Sequence, residues 1–211
     1  MSDTRSKILD TAERLFGDRG YDATSLRQII AAAGVNLAAI HYHFGSKEEL
    51  LDAMILRKAE PVNEQRLALL DCVLAQAGSG TVAIERVLEA FMEPMSTAAD
   101  QNPQFVRVMG RLHAEGVLPS VVQRHFQAVI LRFRAALQRA LPELPDVELN
   151  WRMHFMLGAM AHTMCGTPYL WESAEDRPNF RDRIARLIAF VSAGFRAPLP
   201  QCVAEEMEMH R

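Results

Sequence analysis

The segment Gly34–Lys47, Gly-Val-Asn-Leu-Ala-Ala-Ile-His-Tyr-His-Phe-Gly-Ser-Lys, constrains this chain more than any other. Gly34 permits a sharp turn. Asn36 can cap a helix by accepting from a backbone N–H two or three residues on. Phe44-Gly45 ends that helix, because glycine tolerates the left-handed conformation of a C-cap. Ser46 and Glu49 then make a Ser-x-x-Glu capping box for the next helix. A two-turn helix is unstable alone in water, so larger elements must hold it. The spacing turns Val35, Ile40 and Phe44 inward and leaves Leu37, Ala38, Ala39, His41, Tyr42 and His43 outward. Small side chains with two histidines and a tyrosine suit a face that approaches another body closely.

The preceding residues supply the support. Arg5–Asp18 has Ile8, Leu9, Ala12, Leu15 and Phe16 at helical spacing and is stopped by Arg19-Gly20. Ser25–Ala33 begins with its own Ser25/Gln28 box and carries Leu26, Ile29, Ile30 and Ala33 as an inner stripe. Thr24 and Ser25 place hydroxyls and unpaired N–H groups at a helix start, which suits capping and phosphate contact together. Helix, glycine turn and short helix is the helix-turn-helix plan, whose second helix enters the DNA major groove.

Residues 5–58 resemble the DNA-binding domain of the TetR family of transcriptional regulators. The resemblance rests on Ile8–Ala12, Leu15-Phe16, Arg19-Gly20-Tyr21, Thr24–Ile29, Ala33-Gly34-Val35 and His41–Leu50, in order and without gaps. It implies that Arg27, Leu37, Ala38, Ala39 and His41 face base edges. It also implies that Thr24, Ser25, Tyr42, His43 and Lys47 hold phosphates, with Asn36 beside them at the helix start. His41 stands where this family often has a tyrosine.

Charge does not advertise a nucleic-acid partner. The 211 residues carry a formal net charge of −3, and the first 60 hold eight Lys/Arg against nine Asp/Glu. Phosphate contacts must then be few and local, helped by helix N-termini. No apolar run reaches the roughly 18–20 residues of a membrane span, and Met-Ser-Asp-Thr-Arg-Ser-Lys lacks the apolar core of a signal peptide. Three scattered cysteines, Cys72, Cys165 and Cys202, point to a reducing cytoplasm.

The expected fold is all-α. Residues 1–50 form a three-helix helix-turn-helix DNA-binding domain, and residues 51–211 a larger helical domain for ligand binding and dimerisation. A helix from Ser46 to Ala77, about 45 Å long, connects them, with a break expected near Ala59–Pro61. Further helices are expected over Thr81–Ala99 with a kink at Pro94, from Asn102-Pro103 to Glu115, over Pro119–Leu141, Val147–Gly166 and Arg177–Ala197. The tail Val203–Arg211 reads as polar and frayed.

Two features of this second domain bear on function. Val147–Gly166 is apolar on both faces, so its far face needs a partner. The resemblance supplies one, since the last two helices of TetR-type subunits form a dimeric four-helix bundle. Trp151, Phe155, Ala159, Ile184, Leu187, Ile188 and Val191 are the expected centre of that homodimer interface. Methionine adapts to variable apolar contents, and Phe91, Met92, Met95, Phe105, Met109, Leu112, Phe126, Met156 and Met160 are the expected lining of a pocket for a hydrophobic effector. Trp151–Ala159 and Gly34–Ala39 also resemble the PsrA-type subgroup, which implies a response to long-chain fatty acids or their coenzyme A esters.

Other constellations carry less. His41 and His43 point apart on a helix. His162 and Cys165 have helical ligand spacing but no matching third group, so neither metal nor other cofactor is expected. His113 and Glu115 read as ordinary surface residues. A helical enzyme using His113, His154 and His162 is the rival class, without a phosphate loop, nucleophile elbow or carboxylate pair to support it. The expected function is a homodimeric, ligand-responsive regulator, a repressor released from a palindromic operator by an acyl-type effector. The alternatives are an aromatic or drug effector, or a ligand-binding protein that has lost DNA binding.

Overall fold

The computed structural model describes residues 2–165 and 179–201. Its elements are α1 (Ser2–Arg19), α2 (Leu26–Ala33), α3 (Leu37–His43), α4 (Lys47–Ala77), α5 (Ile84–Gln101), α6 (Pro103–Ala114), α7 (Leu118–His125), α8 (Gln127–Ala140), α9 (Asp146–Cys165) and α10 (Phe180–Arg196). Among the described residues there is no strand. Gly166, the tail from Val203 and Cys202 lie outside them, as does the side chain of Cys165.

The short helices form as their caps dictate. The Ser25 hydroxyl accepts from the Gln28 N–H, and the Gln28 side chain accepts from the Ser25 N–H at 2.7 Å. Asn36 Oδ1 accepts from the Ala39 N–H at 2.8 Å. Gly34 sits at φ +61° between α2 and α3, a left-handed conformation that costs glycine little. Ile29, Ile40 and Phe44 are buried against Ile8, Leu9, Phe16, Leu50 and Met54. Each such side chain removed from water is worth about 1.5–3 kcal/mol, which offsets the poor intrinsic stability of a seven-residue helix.

This cluster does not end with the first helices. Phe105, Val108, Met109 and Leu112 of α6 and Val121 of α7 belong to the same buried set. A second cluster gathers Leu70, Val87, Leu88, Phe91, Met92, Phe133, Leu137, Leu149, Met153, Met156, Ile184, Leu187, Val191 and Phe195. Helix α4 runs through both: Leu50 to Ala59 serve the first, Leu70 the second.

Two expectations need correction. Pro61 does not break α4, which is continuous over 31 residues. Pro61 is exposed, so the Arg57 carbonyl that loses its helical partner can turn to water. The expected Pro119–Leu141 helix divides at Phe126, whose φ of −124° separates α7 from α8. Helix α9 leaves one apolar face open on the protomer, the face for which a partner is expected. Val147, Trp151 and Phe155 leave a stripe at i, i+4, i+8 that is 54–68% exposed.

Candidate nucleic-acid interface and internal cavity

Helix α3 presents its outer face as its spacing requires. Leu37 is 53% and Tyr42 75% exposed, Ala38 and His41 are exposed, and Ala39 and His43 are half-buried. Arg27 is exposed on α2, and Ser25 and Asn36 are exposed at the starts of α2 and α3. Lys47 is half-buried, with its ammonium 4.1 Å from the centroid of the Tyr21 ring. That burial lowers the lysine's pKa, opposed by the nearby carboxylates of Asp22 and Glu115. Thr24 departs from expectation. It is fully buried, and its hydroxyl donates to the carbonyls of Gly20 at 2.7 Å and Leu15 at 3.3 Å. With its N–H bonded to the Tyr21 carbonyl, Thr24 fixes the α1–α2 corner and has nothing to offer a phosphate.

This unit is docked on α6 by polar contacts. The Glu115 carboxylate, just past α6, accepts from the backbone N–H groups of Tyr21 at 2.9 Å and Asp22 at 3.1 Å. Gly20, at φ +96°, lies against the same carboxylate so closely that a Cβ there would strike it. Asn102 caps α6 by accepting from the Phe105 N–H and donates to Glu13 at 2.7 Å. Gln104 donates to the Arg14 carbonyl at 3.1 Å. From α7, His125 and Arg124 contact Asp52 of α4 at 2.8 and 3.1 Å.

A cavity of about 100 Å³ lies among α4, α5, α6, α7, α8 and α9. Phe91, Met95, Phe105, Met109, Phe126 and Met160 line it, together with Ala59, Val62, Ala98, Val106, Leu118, Val122, Val129, Ile130, Leu157, Ala161 and Met164. Among the described residues of the wall, Arg66 of α4 is the one that is polar. Met92, Leu112 and Met156 do not line it, for reasons of helical face. On α5 the lining falls at Phe91, Met95 and Ala98, which turns Met92 into the second core. On α6 Leu112 faces the first core with Val108. On α9 the lining falls at Leu157, Met160, Ala161 and Met164, while Met156 looks toward α10.

The fold and its face can be set beside known proteins. Residues 8–54 match the family model of bacterial regulatory proteins of the tetR family, and residues 87–194 match that of the tetracyclin repressor-like C-terminal domain. The chain belongs to the TetR family. This TetR-family chain is 24% identical to the HTH-type transcriptional repressor BepR of Brucella suis biovar 1 over 204 residues, covering 95% of this chain and 96% of BepR. It is 29% identical over 198 residues to the HTH-type transcriptional regulator BetI of Rhizobium meliloti, covering 92% and 90%. A TetR-family regulator from Syntrophomonas wolfei shares the fold at a TM-score of 0.64 and 18% identity, over 95% of this chain and 98% of that one. A TetR-family protein of this kind is a DNA-binding transcriptional regulator and not an enzyme. Among the described residues no helix is long and apolar enough to cross a membrane.

On the side away from the cavity, the regulator's α9 and α10 flank a shallow groove bordered by Phe155, Met156, Ala159, Phe190 and Gly194. Trp151 and Phe155 stack at 5.8 Å beside it, and Phe190 is 72% exposed. Ala159 and Ile188 are half-buried. Ile184 and Leu187, expected on the outer face, point into the protomer's own core, and Val191, packed in that core, also reaches the floor of the groove. Phe190 lies three residues beyond Leu187, and that spacing alone could not say which of the two stripes of α10 faced out. Glu115, read as an ordinary surface residue, is half-buried and holds the α1–α2 loop, and Arg66 escaped the sequence reading. Their roles depend on partners 93 and 25 residues away, the Asp22 N–H and the Phe91 carbonyl.

Proposed function

We propose that this protein is a homodimeric transcriptional repressor that a hydrophobic, acyl-type effector releases from a palindromic operator. The observation carrying the effector half is the apolar cavity whose walls include α4 and α6, the two helices on which the DNA-reading unit rests. Arg27, Leu37, Ala38, Ala39 and His41 meet base edges; Ser25, Tyr42, His43 and Lys47 meet phosphates, with Asn36 holding the start of α3. Arg27 is the guanine reader, since its fork can bond O6 and N7 together. The stripe of Val147, Trp151 and Phe155 with Phe190 packs on the same surface of a second copy.

The recognition helices of such a dimer must lie about 34–36 Å apart to meet successive major grooves. An acyl chain is larger than the cavity, so it must wedge α4, α6 and α7 outward, with Phe126 and the methionines yielding. The DNA-reading unit moves with α6 through Glu115, Asn102 and Gln104. A ligand acts only through unequal affinity for the two arrangements, with a typical coupling of about 1–3 kcal/mol.

The test is a competition titration of operator binding with long-chain fatty acids and their coenzyme A esters. Lowered operator affinity is the expected result, and Met109→Trp, which fills the cavity, abolishes the response but not DNA binding. Unchanged affinity with all of them refutes the acyl reading. A response to aromatic compounds instead keeps the wedge and changes the effector.

A further inference from the structure

Arg66 is out of place for a wall of this composition. Its side chain is 3% exposed, and among the described residues no carboxylate reaches it. Its Nε donates to the Phe91 carbonyl at 2.7 Å and Nη1 to the Asn63 side chain at 3.2 Å. The third contact, Nη2 to the Met95 sulfur, is 4.0 Å long and goes to a weak acceptor. The guanidinium carbon lies 4.4 Å from the centroid of the Phe91 ring, so a π face stands in for part of the missing anion. Burial lowers its pKa to about 10, which leaves it cationic at neutral pH.

A buried charge without a counter-ion is costly, and buried charges in proteins are as a rule paired. The Phe91 carbonyl, the Asn63 side chain and the Phe91 ring hold this side chain in place but supply no counter-charge. Among the described residues the chain's other buried arginine, Arg152, is paired: it meets Glu148 at 2.8 Å and the carbonyls of Phe195 and Ala197 at 2.8 and 2.9 Å. Arg66 instead spends one nitrogen on a thioether, at a cavity whose other described lining residues are all apolar.

We infer that Arg66 is the anchor for the head group of the effector, and that the effector is an apolar monoanion whose carboxylate replaces the Met95 sulfur on the guanidinium. Resting on the reading of an acyl-type effector, this narrows the class to free carboxylic acids. A neutral ester or alcohol leaves the cation unpaired, and a cationic amphiphile meets like charge in a water-poor cavity.

Three dodecyl probes differing only in head group, together with 2-naphthoate, decide the matter when titrated calorimetrically into the full chain below micellar concentration. Dodecanoate is expected to bind at least tenfold more tightly than dodecanol, with dodecyltrimethylammonium not bound. Arg66→Met, close in volume and free of charge, is expected to erase that preference, so that the variant binds dodecanoate no more tightly than dodecanol. The comparison of head groups on the wild type stands even if the variant does not fold. Equal binding of dodecanoate and dodecanol overturns the anchor and leaves the acyl reading intact. Binding of 2-naphthoate that Arg66→Met abolishes, with no dodecyl compound bound, keeps the anchor and overturns the acyl reading. No binding by any probe overturns both.

Discussion

Thr24 and Arg27 lie three residues apart, on either side of the Ser25 cap, and are expected to fail in opposite ways. Thr24→Val keeps the shape but strips the donor from two buried carbonyl contacts. It should cost about 1–3 kcal/mol in urea unfolding, while the folded protein keeps its operator affinity. Arg27 is exposed, and among the described residues no hydrogen bond or ion pair holds its side chain. Arg27→Ala should leave the unfolding midpoint in place, weaken operator binding by about 1–3 kcal/mol and relax discrimination at one base pair. Full operator preference in the variant would refute its assignment. Lys47→Ala should weaken all duplexes alike and reduce the salt slope of binding by about one. It also removes the contact with the Tyr21 ring, worth about 0.5–1 kcal/mol at an exposed site.

Helix α6 is the element through which cavity and reading head share a support. Phe105, Val106 and Met109 line the cavity, while Val108 and Leu112 pack in the first core and Glu115 holds the α1–α2 loop. Glu115→Ala should therefore leave operator affinity nearly unchanged without effector and reduce the effector's influence on it. The ratio of operator dissociation constants with and without effector measures this. An unaltered ratio would show that the coupling runs elsewhere. The elements themselves were legible, because capping boxes at Ser25 and Ser46, Asn36 and the glycine turn act within four residues. The outward face of α3 was legible for the same reason. What could not be read was which stripe of a helix with two apolar stripes faces its own subunit. Met92, Leu112 and Met156 face away from the cavity, and Ile184 and Leu187 face their own subunit. Composition could mark these helices as apolar, but only the crossing of α5, α9 and α10 decides which side of each is inside. Thr24 failed differently, because its hydroxyl found carbonyls nearer than any phosphate.

At the scale of the whole molecule, the apolar stripe on α9 and the neighbouring Phe190 are the proposed dimer surface. Phe155→Glu should place an unpaired charge at the centre of an interface expected to bury at least about 2,000 Å². Sedimentation at micromolar concentration should then show a monomer with an unchanged helical spectrum, whereas the wild type sediments as a dimer; a monomeric wild type would remove the palindromic operator as well. The ion pairs that clamp α1 to α4 have a consequence of another kind. Arg57 lies 2.7 Å from Asp10 and 3.3 Å from Glu13, and Lys58 lies 3.6 Å from Glu13. Two of the eight cations near the reading head are thus spent inside the protein. Attraction to arbitrary duplex is built from such cations, so this regulator should sit loosely on the chromosome between operators. Few copies would be held on irrelevant sequence, and the cell would need to make only a few to keep one site occupied. Once ejected by its effector, the protein would drift into bulk solution instead of lingering on adjacent DNA, and the promoter would clear quickly.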